Sequence, residues 1–168
     1  MINLTQAKPA SYAEIRKLKT IASYQFSSTI ADCLFPPNEK FFIQYSIATN
    51  KIRNILDRNL RLFLVLRAQD YLFSLTEISG QIIKKCSDKP KFRFVVLNDI
   101  SQFIKEGRNV FCKFVLESDE SIRAGDEVLV VNEDDELLAI GRARVSGEEV
   151  KHYKRGIAVI VKREVKDE

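Results

Sequence analysis

The chain has 168 residues, of which 45% are apolar and 30% charged, with a net charge of +4 and a sequence pI near 8.9. This length suits one ordinary domain or two small ones, and the composition excludes global disorder. The longest apolar runs, such as Leu62–Leu66, are far shorter than the roughly 20 residues that cross a bilayer, and the polar residues near the N-terminus do not resemble a secretory signal. We therefore expect a cytoplasmic protein with no membrane partner.

Helical signals dominate the start of the chain. Residues 1–10 are polar, and residues 7–10 are predicted to form a tether. Ser11 is the expected N-cap of a first helix, with Glu14 completing a capping box, and apolar residues then recur at helical spacing. A second, shorter helix is predicted over residues 27–35, where two consecutive prolines end it.

An antiparallel meander and a closing helix are predicted next. The helix is capped by Thr76 and carries an apolar stripe with two lysines in its last turn. The strands before it alternate apolar and polar residues and are predicted over residues 40–46, 51–56 and 60–67. This order of elements is typical of a small α+β domain.

A polar, proline-containing segment at residues 87–90 marks the predicted domain boundary, which divides the chain into domains 1–90 and 91–168. In the second domain, Asn98 or Asp99 is expected to cap a brief helix that Gly107 ends. Its short strands are predicted over residues 92–97, 110–116, 126–131, 136–144 and 156–163. Short strands with glycine at the corners indicate a strongly curved sheet or small barrel.

Metal and disulfide sites are not expected. The three cysteines, Cys33, Cys86 and Cys112, are odd in number and widely spaced, and no Cys-x-x-Cys pair accompanies His152. We predict three buried thiols and a surface imidazole. The acidic run at residues 133–136 is interpreted as a hairpin turn, because a loop of oxygen ligands for a cation requires spaced acidic residues.

Charge is distributed unevenly. Residues 151–155 and 162–163 are rich in lysine and arginine, whereas residues 117–120 and 133–136 are acidic. A protein with separate basic and acidic faces is polarised for binding a polyanion. Arg142 and Arg144 alternate on a predicted strand, so that they either extend the basic surface or pair with Asp134, Asp135 or Glu148; their spacing favours neither alternative.

Aromatic residues of the first domain have two interpretations as well. They could form a platform for stacking bases, but most fall at apolar-periodic positions and are therefore expected in the core. These residues are Tyr12, Tyr24, Phe26, Tyr71 and Phe73.

The second half of the chain resembles a PUA domain. The resemblance lies in residues 107–111, 113–115 and 122–128, and in the longer stretch 131–143 followed by 146–149 and 154–159. That longer stretch is similar to the archaeal PUA version at the C-terminus of archaeosine tRNA-guanine transglycosylases. The resemblance implies a mainly-β pseudo-barrel that binds RNA.

The first half resembles the small cystatin-like domain that precedes the PUA domain in the same enzymes. The similar segments are residues 21–26, 34–35, 51–55 and 67–75. The implied fold class is α+β, with a helix laid on an antiparallel sheet. The enzymes' TIM barrel, which takes about 250 residues, and their zinc-binding cysteine cluster do not occur in this sequence.

The resemblance also implies an RNA-binding surface, formed by the loop after the first PUA helix and by the last strand. The residues of this surface are Lys105, Gly107, Arg108, Asn109, Lys113, Lys154, Arg155 and Gly156. No catalytic residue, cofactor or metal is predicted, because the sequence contains no phosphate-binding glycine loop and no nucleophile–base pair at a recognisable spacing.

The predicted function is therefore binding. The leading hypothesis is a non-catalytic tRNA-binding subunit or accessory factor of the archaeosine pathway, which holds the acceptor stem of tRNA for a separate catalytic subunit. The alternative is a stand-alone PUA protein of rRNA maturation or translation.

Overall fold

The computed structural model describes residues 3–167 and divides the chain into two compact units, residues 1–86 and 87–168. The domain boundary predicted from the sequence, after residue 90, lies a few residues further along and stays a prediction. Within the described range, every helix is too short or too polar to cross a bilayer.

The N-terminal unit consists of helices packed on an antiparallel sheet. In the described part of this unit, the sheet has the strand order β1-β2-β3-β4-β5. Its elements, in chain order, are β1 (Lys8–Pro9), α1 (Tyr12–Gln25), α2 (Ser28–Leu34), β2 (Phe42–Tyr45), β3 (Ile52–Leu56), β4 (Leu62–Leu66), β5 (Phe73–Leu75) and α3 (Glu77–Lys85).

The three helices begin where the sequence predicts. The Ser11 hydroxyl accepts the Glu14 N–H and the Glu14 carboxylate accepts the Ser11 N–H, which completes the capping box. Ser27 and Thr76 cap the other two helices in the same way, each accepting an N–H three residues on. The helices pack onto the sheet through buried Phe35, whose ring centre lies 5.2 Å from that of Phe41.

The N-terminal segment is not a tether over all of its length. β1 pairs antiparallel with β2, and the Ala10 N–H donates to the Phe41 carbonyl at 2.9 Å. The prediction was wrong for residues 8–9 because a polar sequence can still form an edge strand when its backbone groups find partners.

The prediction of three buried thiols was also wrong. Cys33 in α2 and Cys86 at the end of α3 form a disulfide, with Cα atoms 6.7 Å apart, and both side chains are only partly buried. Cys112 is the buried free thiol, and burial raises its pKa. Because the two cysteines are 53 residues apart, no local sequence pattern indicates that they pair. The packing of α2 against α3 brings them together.

The C-terminal unit is mainly β and curved. Its sheet, within residues 87–167, has the strand order β7-β11-β10-β9-β6-β8. The elements are β6 (Arg93–Val96), a 3-10 turn (Asn98–Ile100), α4 (Ser101–Lys105), β7 (Val110–Phe111), a 3-10 turn (Cys112–Phe114), β8 (Val115–Ser118), β9 (Glu127–Val131), β10 (Leu137–Ala143), a 3-10 turn (Val150–His152) and β11 (Ile157–Glu164).

The single strand predicted over residues 110–116 is wrong, because the chain bends within these residues. β7 pairs with β11 at one edge of the sheet, whereas β8 pairs with β6 at the opposite edge. The three-residue turn between them therefore bends the chain from one edge to the other, and buried Cys112 anchors the bend. The α+β class and the PUA pseudo-barrel expected from the resemblance are confirmed.

The predicted hairpin turn at residues 133–136 is confirmed, whereas the predicted side-chain cap of the helix after β6 is wrong. The acidic run forms the predicted β9–β10 hairpin turn, in which the Asn132 side-chain oxygen accepts the N–H groups of Asp134 and Glu136 at 3.0 Å. The predicted side-chain cap of the helix after β6 is absent from residues 98–105. The Asn98 side chain instead accepts the Glu133 N–H at 2.9 Å and so holds the hairpin turn.

Candidate nucleic-acid interface

The predicted site residues lie along one pair of neighbouring segments, which we name the β7–β11 ribbon (residues 105–113 and 154–167). The segments run antiparallel, with Phe111 opposite Ile157 and Val110 opposite Val159. Beyond the strands, the Cys112 N–H donates to the Gly156 carbonyl at 2.9 Å. The eight predicted residues therefore belong to one continuous structure, although they do not form one patch.

Glycine turns the chain at both predicted corners. Gly107 ends α4 with a φ of +91°, and its N–H donates to the Ile104 carbonyl at 2.9 Å. Gly156 precedes β11 with a φ of +95°, and no heavy atom lies within 4 Å of the place where its Cβ would stand. Left-handed backbone favours glycine, and the open space beside Gly156 lets another molecule approach the main chain.

Three cations belong to the end of the ribbon where Cys112 bonds to Gly156, which we name the cationic end: Lys113, Lys154 and Arg155. All three side chains are exposed, and Lys113 Nζ lies 4.9 Å from the Phe114 ring centre. Within residues 3–167, no carboxylate lies within 4.0 Å of any of the three. The cationic end is therefore able to neutralise phosphate charge.

Arg108 lies further along the ribbon, three residues from Phe111, or roughly 10 Å at the rise of an extended chain. Its guanidinium is exposed and stacks over Phe103, with 5.4 Å between the guanidinium carbon and the ring centre. Two basic residues missing from the predicted set, Lys162 and Arg163, are exposed on β11 beside this part of the ribbon. The basic character thus continues along β11, as the run of charges at residues 162–163 had indicated.

Lys105 differs from the other predicted cations. Its Nζ donates to Glu136 Oε1 at 2.6 Å and to Asp167 Oδ1 at 2.7 Å, and only 14% of its side chain is exposed. The bonds to Asp167 and Glu136 raise the pKa of Lys105, and the bond from Lys105 holds the pKa of Glu136 below its usual value. The charge of Lys105 is therefore already neutralised inside the protein.

Asn109 joins the two segments of the ribbon. Its side-chain oxygen accepts the Val161 N–H at 3.0 Å. This bond satisfies a backbone donor where β7 no longer pairs with β11, so that the side chain fixes the loop in place.

We expect Asn109→Ala to lower the free energy of unfolding by about 1–3 kcal/mol, because it leaves the Val161 N–H without this acceptor. The substitution removes no charge, so the salt dependence of RNA binding should not change. Denaturant titration and binding at several salt concentrations measure the two effects. Weaker RNA binding without any loss of stability would contradict this assignment and make Asn109 a direct RNA contact.

Exposed aromatic residues occur where the sequence did not predict them. Phe111 and Tyr153 are 44% and 47% exposed and lie beside the cationic end. The signal for Phe111 was strand alternation, since Val110 and Cys112 on either side of it are buried. In the N-terminal unit, Tyr12 and Tyr24 are more than three quarters exposed, which corrects their assignment to the core.

Other predicted residues have clear positions. Phe73 is fully buried, as expected for the core. Arg142 Nε lies 3.8 Å from Glu127 Oε2 rather than beside the hairpin turn, and Arg144 is exposed. His152 is exposed. In the part of the chain that the structure describes, no group of three or more His, Cys, Asp or Glu residues could hold a metal ion.

Family models match both units. Residues 92–165 match the PUA domain, and residues 16–90 match the patch-forming domain C2 of tRNA-guanine transglycosylase. The chain is therefore a two-domain protein with a C2 patch-forming domain followed by a PUA domain. Both domains are homologous to the C-terminal region of archaeal tRNA-guanine transglycosylases.

Individual relatives agree with the family models. The chain is 40% identical over 164 residues to the tRNA-guanine(15) transglycosylase of Methanobrevibacter smithii, and 36% identical over 161 residues to that of Methanocaldococcus jannaschii. Each alignment covers 96% of this chain, and the chain spans about a quarter (24%) of the length of each relative.

Solved structures show the same fold. A hypothetical protein of Pyrococcus horikoshii superimposes with a TM-score of 0.75 at 26% identity, covering 96% of this chain and 95% of that one. A conserved PUA domain protein of Thermoplasma acidophilum superimposes with a TM-score of 0.62 at 18% identity, covering 97% and 96% of the two chains, and shows the fold alone.

Proposed function

We propose that this chain binds tRNA as a non-catalytic component of the archaeosine pathway. The observation that carries the proposal is the cationic end of the PUA domain, where three exposed cations have no carboxylate partner in residues 3–167. The similarity to tRNA-guanine(15) transglycosylases over 96% of the chain makes tRNA the expected ligand.

The regions of the relatives that this chain matches also suggest that catalysis is carried out by a separate subunit. Both domains correspond to non-catalytic parts of the relatives, so a separate catalytic subunit of tRNA modification is the expected partner. On this proposal the cationic end and Arg108 contact phosphates of the acceptor stem. The glycine corner at Gly156 allows the RNA backbone to approach the main chain there.

Binding of purified tRNA at several salt concentrations tests the proposal. A variant in which the cationic end and Arg108 are neutralised should bind at least about tenfold more weakly, and its salt dependence should fall by up to about one unit of slope for each phosphate that the variant no longer neutralises. The substitutions are Arg108→Gln, Lys113→Gln, Lys154→Gln and Arg155→Gln.

A control variant removes the same charge from other exposed positions at which no ion pair is seen in the described residues. Its substitutions are Lys40→Gln, Arg58→Gln, Lys85→Gln and Arg123→Gln, all outside the β7–β11 ribbon. Its slope should stay close to that of the unsubstituted chain. Equal slopes for both variants would contradict the placement of the interface, and tRNA binding that does not depend on salt would contradict the proposal itself.

Crosslinking and co-purification from cells identify the RNA and the partner. We expect tRNA, together with a catalytic polypeptide of tRNA modification. Recovery of rRNA in place of tRNA would overturn the proposed ligand.

A further inference from the structure

The N-terminal unit contains a polar cavity that the proposed interface does not use. The cavity has a volume of about 340 Å³ and lies between α1, the β2–β3 turn and the β4–β5 turn. The side chains that give it its chemistry are Glu14, Lys17, Tyr45, Lys51 and Tyr71. All of them belong to residues 1–86, so that the cavity is built within one compact unit.

Tyr71 forms the wall of this cavity from an unusual backbone position. Its φ is +59°, in the left-handed region that a bulky residue rarely adopts. The turn is fixed by the Tyr71 N–H, which donates to the Arg67 carbonyl at 3.1 Å, and by the Arg67–Asp70 ion pair at 2.8 Å. Such conformations occur preferentially at functional sites, where the surrounding structure holds them in place.

The ring of Tyr71 lies close to two lysines of the cavity. Lys17 Nζ lies 3.3 Å from the Tyr71 hydroxyl oxygen and 5.1 Å from the ring centre, and Lys51 Nζ lies 5.9 Å from the same ring centre. One lysine comes from α1 and the other from the start of β3, so only the tertiary structure makes them neighbours. Cation–π attraction to the shared ring partly offsets the repulsion between two ammonium groups.

No carboxylate balances these lysines. Within residues 3–167, neither Lys17 nor Lys51 has a carboxylate oxygen within 4.0 Å. The acidic residue that lines the cavity, Glu14, already accepts the Ser11 N–H and the Tyr45 hydroxyl. Lys8 adds a further cation, with its Nζ 5.0 Å from the Tyr45 ring centre. The cavity therefore carries an excess of positive charge.

The protonation states maintain this excess. Although burial opposes the shift, the hydrogen bonds from Tyr45 and Ser11 hold the pKa of Glu14 below its usual value. Burial and the bond to Glu14 raise the pKa of Tyr45 to about 12. At neutral pH Glu14 is thus ionised and already bonded, while Tyr45 remains a neutral donor to it.

We propose that Lys17 and Lys51 bind a phosphate group of the same RNA, which makes this cavity a second RNA contact. The inference rests on the proposed function for the source of the phosphate. A phosphate supplies the anion that the two ammonium groups around the Tyr71 ring lack, and lysine binds it as a point charge without requiring a fixed geometry. Two contacts on one chain also strengthen binding, because the second forms within the complex.

Salt-dependent tRNA binding by the full chain tests this second contact. Lys17→Gln/Lys51→Gln should weaken tRNA binding by about tenfold and lower the salt slope by about one unit, the effect of one phosphate contact. The matched control, Lys40→Gln/Lys85→Gln, removes the same charge from exposed lysines outside the cavity and should leave both quantities unchanged. Tyr71→Leu keeps both lysines but removes the ring that gathers them, so it should weaken binding with a smaller change of slope.

Amide NMR spectra separate the possible sources of phosphate. In the unsubstituted chain we expect a short oligoribonucleotide to shift the signals of Lys17, Lys51 and Tyr71, and we expect the Lys17→Gln/Lys51→Gln variant to lose these shifts. If only inorganic phosphate or a nucleoside monophosphate shifts them, while tRNA affinity is the same in both chains, the cavity binds a free nucleotide and the RNA assignment is overturned.

The two proposals fail in different ways. A chain whose tRNA binding depends on the cationic end but not on Lys17 and Lys51 refutes the second contact and leaves the proposed function standing. A chain that does not bind tRNA at all refutes both. Unchanged spectra with every phosphate compound show that the cavity is not a phosphate site.

Discussion

Replacing Arg93 with methionine is expected to lower the free energy of unfolding of the C-terminal unit by about 3–5 kcal/mol, the usual cost of removing one partner of a buried ion pair. Arg93 is fully buried in β6, and its Nε lies 2.9 Å from Asp135 Oδ1. Its guanidinium also donates to the carbonyl oxygens of Lys91 and Ser87, at 2.6 and 3.0 Å. Methionine fills much of the same volume but leaves these acceptors without their donor.

The position of Arg93 explains the size of this effect. The side chain connects the segment before β6 and the β9–β10 hairpin turn to β6, so that its removal loosens three parts of the C-terminal unit together. Asp135→Asn should cost less, because 34% of the Asp135 side chain is exposed and water can replace part of the ion-pair interaction.

Amide hydrogen exchange in β9 and β10 measures this change, because it reports on the C-terminal unit alone. Arg163→Met is the matched control, since Arg163 is exposed on β11 and has no ion pair in the described residues. Its effect should remain within about 0.5 kcal/mol, as for most surface substitutions. A comparable destabilisation in both variants would show that the buried guanidinium contributes little.

Reduction of the Cys33–Cys86 disulfide is expected to lower the stability of the N-terminal unit by about 4 kcal/mol. The two cysteines are 53 residues apart in sequence. A disulfide that closes so long a loop removes much conformational freedom from the unfolded chain. Reduction restores that freedom to the unfolded state. The bridge joins α2 to the end of α3, two helices that strands β2–β5 separate in sequence.

Denaturant unfolding with and without reductant measures this difference. Near-ultraviolet circular dichroism follows mainly the N-terminal unit, because the chain has no tryptophan and only Tyr153 among its five tyrosines lies after residue 86. Cys33→Ser/Cys86→Ser should match the reduced chain and should not respond to reductant. Cys112→Ala is the control, because it keeps the disulfide and the response to reductant. An unfolding midpoint that does not depend on reductant in the unsubstituted chain would contradict the prediction.

The local elements were predictable because local interactions determine them. The capping box of Ser11 and Glu14 and the N-cap Thr76 act within one helical turn, so each helix begins where its sequence indicates. The β9–β10 hairpin was predictable for the same reason, since Asn132 bonds to backbone groups two and four residues away. β5 was missed because three residues are too few to show alternation.

By itself, the sequence determined the starts of α1, α2 and α3, most strands, the α+β class and the region that carries the basic residues, because each depends on neighbours along the chain or on a long resemblance. Only the tertiary structure decided which side chains meet. It joined Cys33 to Cys86, broke the strand after Phe111 to close the barrel, and neutralised Lys105 with Glu136 and Asp167. It also gathered Lys17 and Lys51 at Tyr71. Each is a contact between residues far apart in sequence, which no local pattern encodes.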